Sequence, residues 1–145
     1  MGYLMQKTSW VWTFYPQNGA LRSGFSSGEI NFIENKKLTN LLFGWNDVVA
    51  DANENEEIAY NTRMVSQPVI EKYIRNVNFR NSVRKELGES KFNSDYKGLV
   101  LDPLFEDYIS NRYTRMREAI NELNGVRELN VSILQKIEEE LNNNQ

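Results

Sequence analysis

The sequence predicts an all-α fold, a helical bundle that ends in a long C-terminal amphipathic helix, and three observations favour this class. Apolar residues recur at steps of three and four along most of the 145 residues, which is the spacing of one helix face. Asn35 and the pair Asp102-Pro103 precede two of these series and are typical of helix starts. Gly28 follows another series and is typical of a helix end. We interpret residues 1–145 as a single helical domain.

The composition excludes several kinds of active site, because the chain contains no histidine and no cysteine. These two side chains perform much of the nucleophilic and proton-transfer chemistry near neutral pH, and they bind most transition metals. An enzyme built on this chain would depend on Asp, Glu, Lys, Tyr or Ser, and the paired carboxylates all lie in charged, surface-type contexts. We therefore expect no catalytic residue, no cofactor and no bound metal.

Net charge and hydropathy restrict the kinds of partner. A formal charge of -3 and a pI near 5.1 give no field that would draw the chain to nucleic acid or to an anionic membrane. The sequence has no apolar run of the roughly 18 residues that a membrane-spanning helix needs, and its start does not have the pattern of a signal peptide. We expect the chain to be soluble, so a membrane anchor in the native protein would lie outside these residues.

Residues 1–17 form an aromatic N-terminal segment whose pattern is compatible with either a strand or a helix. Trp10, Trp12 and Tyr15 lie close together in it, and rings of this size dominate many binding interfaces. The same rings also fill hydrophobic cores. We favour a core role for the segment and keep these three residues as candidate interface residues.

Residues 18–88 are expected to form short helices. A first helix ends at Gly28, and a second begins after Asn35 with its apolar positions at helical spacing. Residues 51–57 carry four carboxylates and two asparagines, which predicts an exposed turn or a solvated helix end. Pro68 predicts either a kink within a helix or the start of another one.

A local basic cluster is the candidate binding site for an anion or an acidic ligand. Its members are Arg75, Arg80, Arg84 and Lys85. Carboxylates interleave with them at helical spacing, so ion pairs within one helix explain the same pattern, and we favour that interpretation. No glycine motif for binding phosphates or dinucleotides occurs in the sequence.

The clearest predicted element is a C-terminal helix over residues 102–142. Its apolar positions keep one phase throughout: Phe105, Ile109, Tyr113, Met116, Ile120, Leu123, Leu134, Ile137 and Leu141. We favour one helix of about 40 residues, about 60 Å long, and keep a helical hairpin that turns at Gly125 as the alternative. So long a helix would project from a domain of this size, and we predict that Leu134, Ile137 and Leu141 meet a protein partner or a second copy of the chain.

A resemblance to a known family rests on residues 18–42, NGALRSGFSSGEINFIENKKLTNLL, in which a small helix, a Ser-Ser-Gly stop, an apolar stretch and a new helix follow one another. This segment resembles a family of uncharacterised single-pass membrane proteins from Bacteroidota. The resemblance implies a helical extracytoplasmic part that follows one transmembrane helix and ends in a long amphipathic helix. It also implies turn roles for the Ser-Ser-Gly residues and core roles for Ile33 and Leu38. The chain departs from the family in having no membrane span and in carrying Gly24 where a large apolar residue is usual.

From these observations we expect a non-enzymatic interaction or structural module. With the resemblance, it would be the extracytoplasmic part of a membrane-anchored protein of the bacterial envelope, and it would bind a protein partner or form a homodimer. One alternative is a sensory module for a small ligand or glycan, in which the aromatic segment and the basic cluster line a pocket. The other alternative is a hydrolase that uses two carboxylates.

Overall fold

The computed structural model describes residues 13–80, 86 and 88–143. In chain order the elements are α1 (Gly19–Ser27), a 3₁₀ helix (Glu29–Phe32), α2 (Lys36–Tyr73), α3 (Asn76–Arg80), α4 (Tyr96–Val100) and α5 (Pro103–Asn143). No strand occurs in this described part of the chain. The prediction of an all-α fold with a long C-terminal helix is therefore confirmed.

The end of α1 follows the predicted turn chemistry. Gly28 adopts the left-handed conformation, with φ of 78°, and its N–H donates to the carbonyl oxygen of Phe25 at 3.3 Å. A residue with a Cβ would be strained in this conformation, which explains why a glycine ends the helix. The chain passes directly into the 3₁₀ helix, whose Ile30 is buried.

Helix α2 begins at the predicted cap. The side-chain Oδ1 of Asn35 accepts hydrogen bonds from the backbone N–H groups of Lys37, at 3.0 Å, and Leu38, at 3.1 Å. These groups lie in the first helical turn, where no carbonyl of the helix is available to them. Asn35 therefore fixes the point at which the helix starts.

The length of α2 corrects the expectation of short helices and of a turn at residues 51–57. These residues lie inside a 38-residue helix, and Glu56, predicted to be exposed, is buried together with Ala52 and Ala59. Their spacing of four and three continues the inward face of the helix, while the remaining carboxylates of the segment point to solvent. The buried face of α2 in this segment therefore consists of small alanines and Glu56, and the acidic composition did not indicate it.

Pro68 lies within α2 and does not end it, so the helix neither stops nor restarts there. Proline has no N–H to donate to the preceding turn, and this usually weakens a helix interior. Pro68 is exposed and lies in the last two turns of the helix, where fewer residues depend on the hydrogen-bond ladder. The buried Ser66 next to this point donates its hydroxyl to the carbonyl oxygen of Thr62 at 2.6 Å.

Helix α5 begins at the predicted Asp102-Pro103 pair and continues past Gly125 to Asn143. Oδ1 of Asp102 accepts a hydrogen bond from the N–H of Leu104 at 2.9 Å, which is the geometry of an N-cap. The continuous helix is therefore what the chain forms, and the hairpin alternative at Gly125 is wrong. A helix of 41 residues is about 60 Å long at ~1.5 Å per residue.

Contacts between residues divide the chain into two compact units. The terminal unit comprises the described residues of 13–55 and 118–145, and the middle unit comprises those of 56–117. Each unit contains one segment of α2 and one segment of α5. The interpretation of residues 1–145 as a single domain stays a prediction.

The terminal unit is built on an apolar core between its segments of α2 and α5. The buried members are Leu38, Trp45, Val49, Ala52, Val126 and Ile133. Burying a Val, Leu or Ile side chain contributes roughly 1.5–3 kcal/mol, so this cluster stabilises the unit. The indole Nε1 of Trp45 donates to Oδ1 of Asn18 at 2.9 Å, which leaves no unsatisfied donor in the core at that position.

The middle unit has a more polar interior. Leu99 and Ile74 are buried in it, but so are Tyr108 and the charged Arg112. Arg112 donates from Nη1 to the carbonyl oxygen of Ala59 at 3.3 Å, so α5 and α2 are joined here through a guanidinium group. Burial raises the pKa of Tyr108, and the nearby guanidinium of Arg112 opposes this shift.

Candidate functional site

An exposed apolar stripe lies on the terminal unit's segment of α5. We call it the C-terminal stripe, and its members are Val131, Leu134, Ile137 and Leu141. Leu134 is 53% exposed and Leu141 is 61% exposed, although Ile133, beside Leu134 in sequence, is buried in the core. The helix therefore has two apolar faces, one packed within the unit and one facing solvent.

A shallow groove of about 420 Å³ continues the stripe at its C-terminal end. Its lining consists of Phe32, Ile33, Glu34, Leu38, Ile137, Glu140 and Leu141. Phe32 is 84% exposed, so a large aromatic ring extends the apolar surface beyond α5. The predicted interface residues Ile137 and Leu141 thus share a surface with Phe32, which the sequence did not indicate.

Asn35 holds the two sides of this groove together. Its Oδ1 caps α2, and its Nδ2 donates to Oε1 of Glu140 on α5 at 2.6 Å. The start of α2 is thereby joined to the last turns of α5 by a charge-assisted hydrogen bond. Phe32 and Leu141 line the groove beside this contact.

The surface around the stripe carries charges of both signs. Glu34 lies on the groove, and within the described residues it has no hydrogen-bond or ion-pair partner. Arg127 lies on α5 ahead of the stripe, is exposed, and likewise has no such partner in the described part of the chain. Lys136, which also lies on α5, forms an ion pair with Glu139. Glu34 and Arg127 are thus free to meet charges on another molecule.

The aromatic N-terminal segment falls largely outside the described residues, since Trp10 and Trp12 precede residue 13. Tyr15 is exposed, with 78% of its surface accessible, whereas its neighbour Phe14 packs against the core of the terminal unit. The favoured core role therefore applies to Phe14, and Tyr15 stays a candidate interface residue.

The candidate anion site is only partly described, because Arg84, Lys85 and the side chain of Arg80 fall outside the described residues. Arg75 donates from Nη2 to the carbonyl oxygens of Glu71 and Lys72, each at 2.8 Å. These carbonyls belong to the last turn of α2, so the guanidinium caps the C-terminus of that helix. Binding of an anion by the basic cluster stays a prediction.

A polar cluster in the middle unit was not predicted from the sequence beyond the capping role of Asp102. Oδ2 of Asp102 accepts hydrogen bonds from the hydroxyl of Tyr73 at 2.8 Å and from Nζ of Lys72 at 3.2 Å. The Lys72 ammonium also lies 4.6 Å from the centre of the Tyr73 ring, a cation–π distance. The cluster joins the end of α2 to the start of α5.

The electrostatics of this cluster favour both charged forms. The hydroxyl of Tyr73, then the N–H of Leu104 and the ammonium of Lys72, lower the pKa of Asp102 below its ordinary value of 3.8. Tyr73 and then Asp102 raise the pKa of Lys72 above 10.5. The cluster is therefore an ion pair at neutral pH between an exposed ammonium and a largely buried carboxylate.

No group of three or more acidic side chains is arranged to hold a metal ion in the part of the chain that the structure describes. The described helices also include none with the length and apolar character needed to cross a membrane.

The fold and the surface define an all-α protein with two long helices and an apolar stripe open to solvent. No protein-family model, curated protein or solved structure matches the chain. The functional interpretation therefore depends on the stripe, the groove and the charges described above.

Proposed function

We propose that this chain is a non-enzymatic helical interaction module that associates with a second protein molecule through the C-terminal stripe, self-association being the first case. The observation that carries the proposal is the exposure of Leu134 and Leu141 on a helix that already buries its other apolar face. Large apolar side chains grouped on one helix face favour removal from water by another surface. The adjoining groove offers room for side chains of that surface.

Measurement of the solution mass by light scattering, over a series from micromolar to millimolar protein, tests this proposal. We expect a mass that rises from monomer to dimer, and a double variant Leu134→Asn with Ile137→Asn that stays monomeric. Val65→Asn is the matched control, because Val65 is also exposed on a long helix but lies outside the stripe. A wild-type chain that remains monomeric throughout would contradict the proposal.

The proposed location is the extracytoplasmic side of a bacterial envelope, through an anchor outside these residues. The support for it is the resemblance of residues 18–42 to the membrane-anchored family. Fractionation of cells that express the native gene tests it. We expect the protein in the membrane fraction, accessible to protease from the outer side of the membrane, and recovery with the cytoplasmic proteins would contradict the location.

A ligand-binding sensory module is the second candidate function, and the groove is the observation that favours it. Its volume of about 420 Å³ falls within the range of small-molecule sites, and its lining combines apolar residues with Glu34 and Glu140. A thermal-shift panel of glycans, amphipathic amines and acidic small molecules would identify a ligand. A carboxylate hydrolase remains a third proposal, and an open groove gives it less support, since acid catalysis by a carboxyl group favours an apolar enclosure.

A further inference from the structure

The C-terminal stripe has a symmetric spacing about Leu134. Val131 and Ile137 lie three residues before and after it, at the same distance along the helix. Arg127 and Leu141 lie seven residues before and after it. On an α-helix, steps of three and seven residues return to nearly the same face. A neighbouring α5 that runs in the opposite direction can therefore place Val131 against Ile137 and Arg127 against Leu141.

The charges at the two ends of this stripe are opposite. Arg127 carries the positive charge at one end, and Glu34 lies on the groove beside Leu141 at the other end. Neither has a hydrogen-bond or ion-pair partner among the described residues. Fourteen residues of helix separate Arg127 from Leu141, which is about 21 Å at ~1.5 Å per residue. These two charges of one copy are too far apart to pair with each other. In an antiparallel dimer, Arg127 of each copy can lie beside Glu34 of the other copy, which gives two pairs.

We propose that a second copy of this chain docks on the C-terminal stripe in the antiparallel direction, with Leu134 on the two-fold axis and Arg127 of each copy against Glu34 of the other. This inference rests on the proposed self-association and adds its direction and register. A two-fold dimer uses the same patch on both copies, which is the commonest symmetry of homo-oligomers. A parallel pair would instead place Arg127 beside Arg127 and Glu34 beside Glu34 of the second copy, and like charges repel.

The size of the contact sets the expected strength. Two helices that touch over about 21 Å, with Phe32 added at each end, bury an area at the low end of specific interfaces. The dimer should therefore dissociate on dilution and should not be an obligate assembly. Its direction and register can still be defined, because the apolar contacts and the two ion pairs agree on only one arrangement.

Disulfide trapping measures direction and register directly, since the chain contains no cysteine of its own. We would mix the single variants Val131→Cys and Ile137→Cys under mild oxidation and identify the linked peptides by mass spectrometry. The proposal predicts mixed disulfides between positions 131 and 137 in excess of either homodimer. Identical positions would lie about 9 Å apart along the axis, which exceeds the Cα separation that a disulfide allows. Leu141→Cys tests the parallel alternative, because in a parallel dimer it would form a disulfide with position 141 of the second copy.

Charge reversal tests the proposed ion pairs. Arg127→Glu should raise the dimer dissociation constant by roughly five- to thirty-fold, because two symmetry-related pairs are lost. Glu34→Lys should have a similar effect, and the double variant should recover most of the wild-type affinity. Arg117→Glu is the control with the same change of charge, at an exposed position of α5 outside the stripe.

The outcomes separate this inference from the proposed function. Mixed 131–137 disulfides, together with recovery in the double charge variant, support the antiparallel dimer. A concentration-dependent dimer that instead links Leu141→Cys to itself overturns the antiparallel arrangement and leaves self-association standing. A chain that stays monomeric and forms no specific disulfide overturns both.

Discussion

Tyr73 links three features of the middle unit at the scale of a single residue. Its hydroxyl donates to Asp102, its ring lies beside the ammonium of Lys72, and Gly98 approaches the ring so closely that a Cβ there would lie 2.9 Å from Cε1. The ring therefore has fixed neighbours on several sides, and its hydroxyl is the largest cause of the lowered pKa of Asp102. A tyrosine in this position contributes to stability in a way that depends on pH.

We expect Tyr73→Phe to reduce the acid dependence of stability. The folded pKa of Asp102 lies below the unfolded value, so its ionised form stabilises the fold above that unfolded value and this stability is lost as pH falls through the folded pKa. Removing the hydroxyl brings the two pKa values closer. The variant should therefore be less stable than wild type at neutral pH, with the difference shrinking as pH decreases from about 5 to about 2.

Urea unfolding at a series of pH values provides the measurement. Tyr15→Phe is the control, because Tyr15 is exposed and its loss of a hydroxyl should leave the pH profile unchanged. A constant difference between Tyr73→Phe and wild type at all pH values would show that the hydroxyl contributes to stability independently of the ionisation of Asp102.

At the scale of the element, local chemistry explains where helices start and stop. Asn35, Asp102 and Gly28 were recognised from the sequence because a cap depends on neighbours within a few residues. The continuity of α5 could be predicted for the same reason, since its apolar phase is a property of the helix itself. Contacts between distant parts of the chain have no such local pattern in the sequence.

One feature of the candidate site and one of helix α2 show this limit. Phe32 lies in a short 3₁₀ helix, where no apolar period marks its role, and it shares a groove with Leu141. The hydrogen bond beside that groove, from Asn35 to Glu140, joins residues 105 positions apart. Glu56 was expected in an exposed turn or a solvated helix end because its surroundings are acidic, and only the alanines on either side of it indicated an inward face.

Two glycine substitutions should have opposite effects on the helices that contain them. A Cβ at Gly98 in α4 would lie 2.9 Å from Cε1 of Tyr73 and closer still to Oδ2 of Asp95, the cap of that helix, so Gly98→Ala should destabilise by about 1–3 kcal/mol. A Cβ at Gly125 in α5 meets nothing within 4 Å, so Gly125→Ala should stabilise by about 0.5–1 kcal/mol.

Guanidinium unfolding followed by circular dichroism distinguishes the two effects, and Gly44→Ala serves as a second open position within α2. If Gly125→Ala proved destabilising, α5 would need a flexible or bent backbone at Gly125, and its description as an open position in an ordinary helix would be wrong.

At the scale of the whole molecule, each of the two units has its own interior. The terminal unit depends on apolar packing around Trp45 and Val49, whereas the middle unit combines Leu99 with buried polar groups such as Arg112. A buried charge constrains its neighbours more than an apolar side chain does, because it stabilises the fold only when its hydrogen bonds are made. The two units should therefore respond differently when single core residues are truncated.

We expect Leu38→Ala and Leu99→Ala each to cost about 2–5 kcal/mol, with the loss concentrated in different parts of the chain. Leu38 is 4% exposed in the terminal unit and Leu99 is 1% exposed in the middle unit. Native-state hydrogen exchange should show faster exchange in the unit that contains each substitution. Leu101→Ala, at a position 71% exposed, is the control and should change the stability by less than about 0.5 kcal/mol. Uniform acceleration over both units would instead indicate one cooperative body.

The division of the terminal unit into residues 13–55 and 118–145 also has a consequence for synthesis. The ribosome makes the first segment, including Leu38 and Trp45, well before it makes Val126, which completes their core. The whole of residues 56–117 emerges in between, at roughly 5–20 residues per second. For several seconds the nascent chain therefore presents an apolar helix face without its covering helix, which is the kind of surface that chaperones bind.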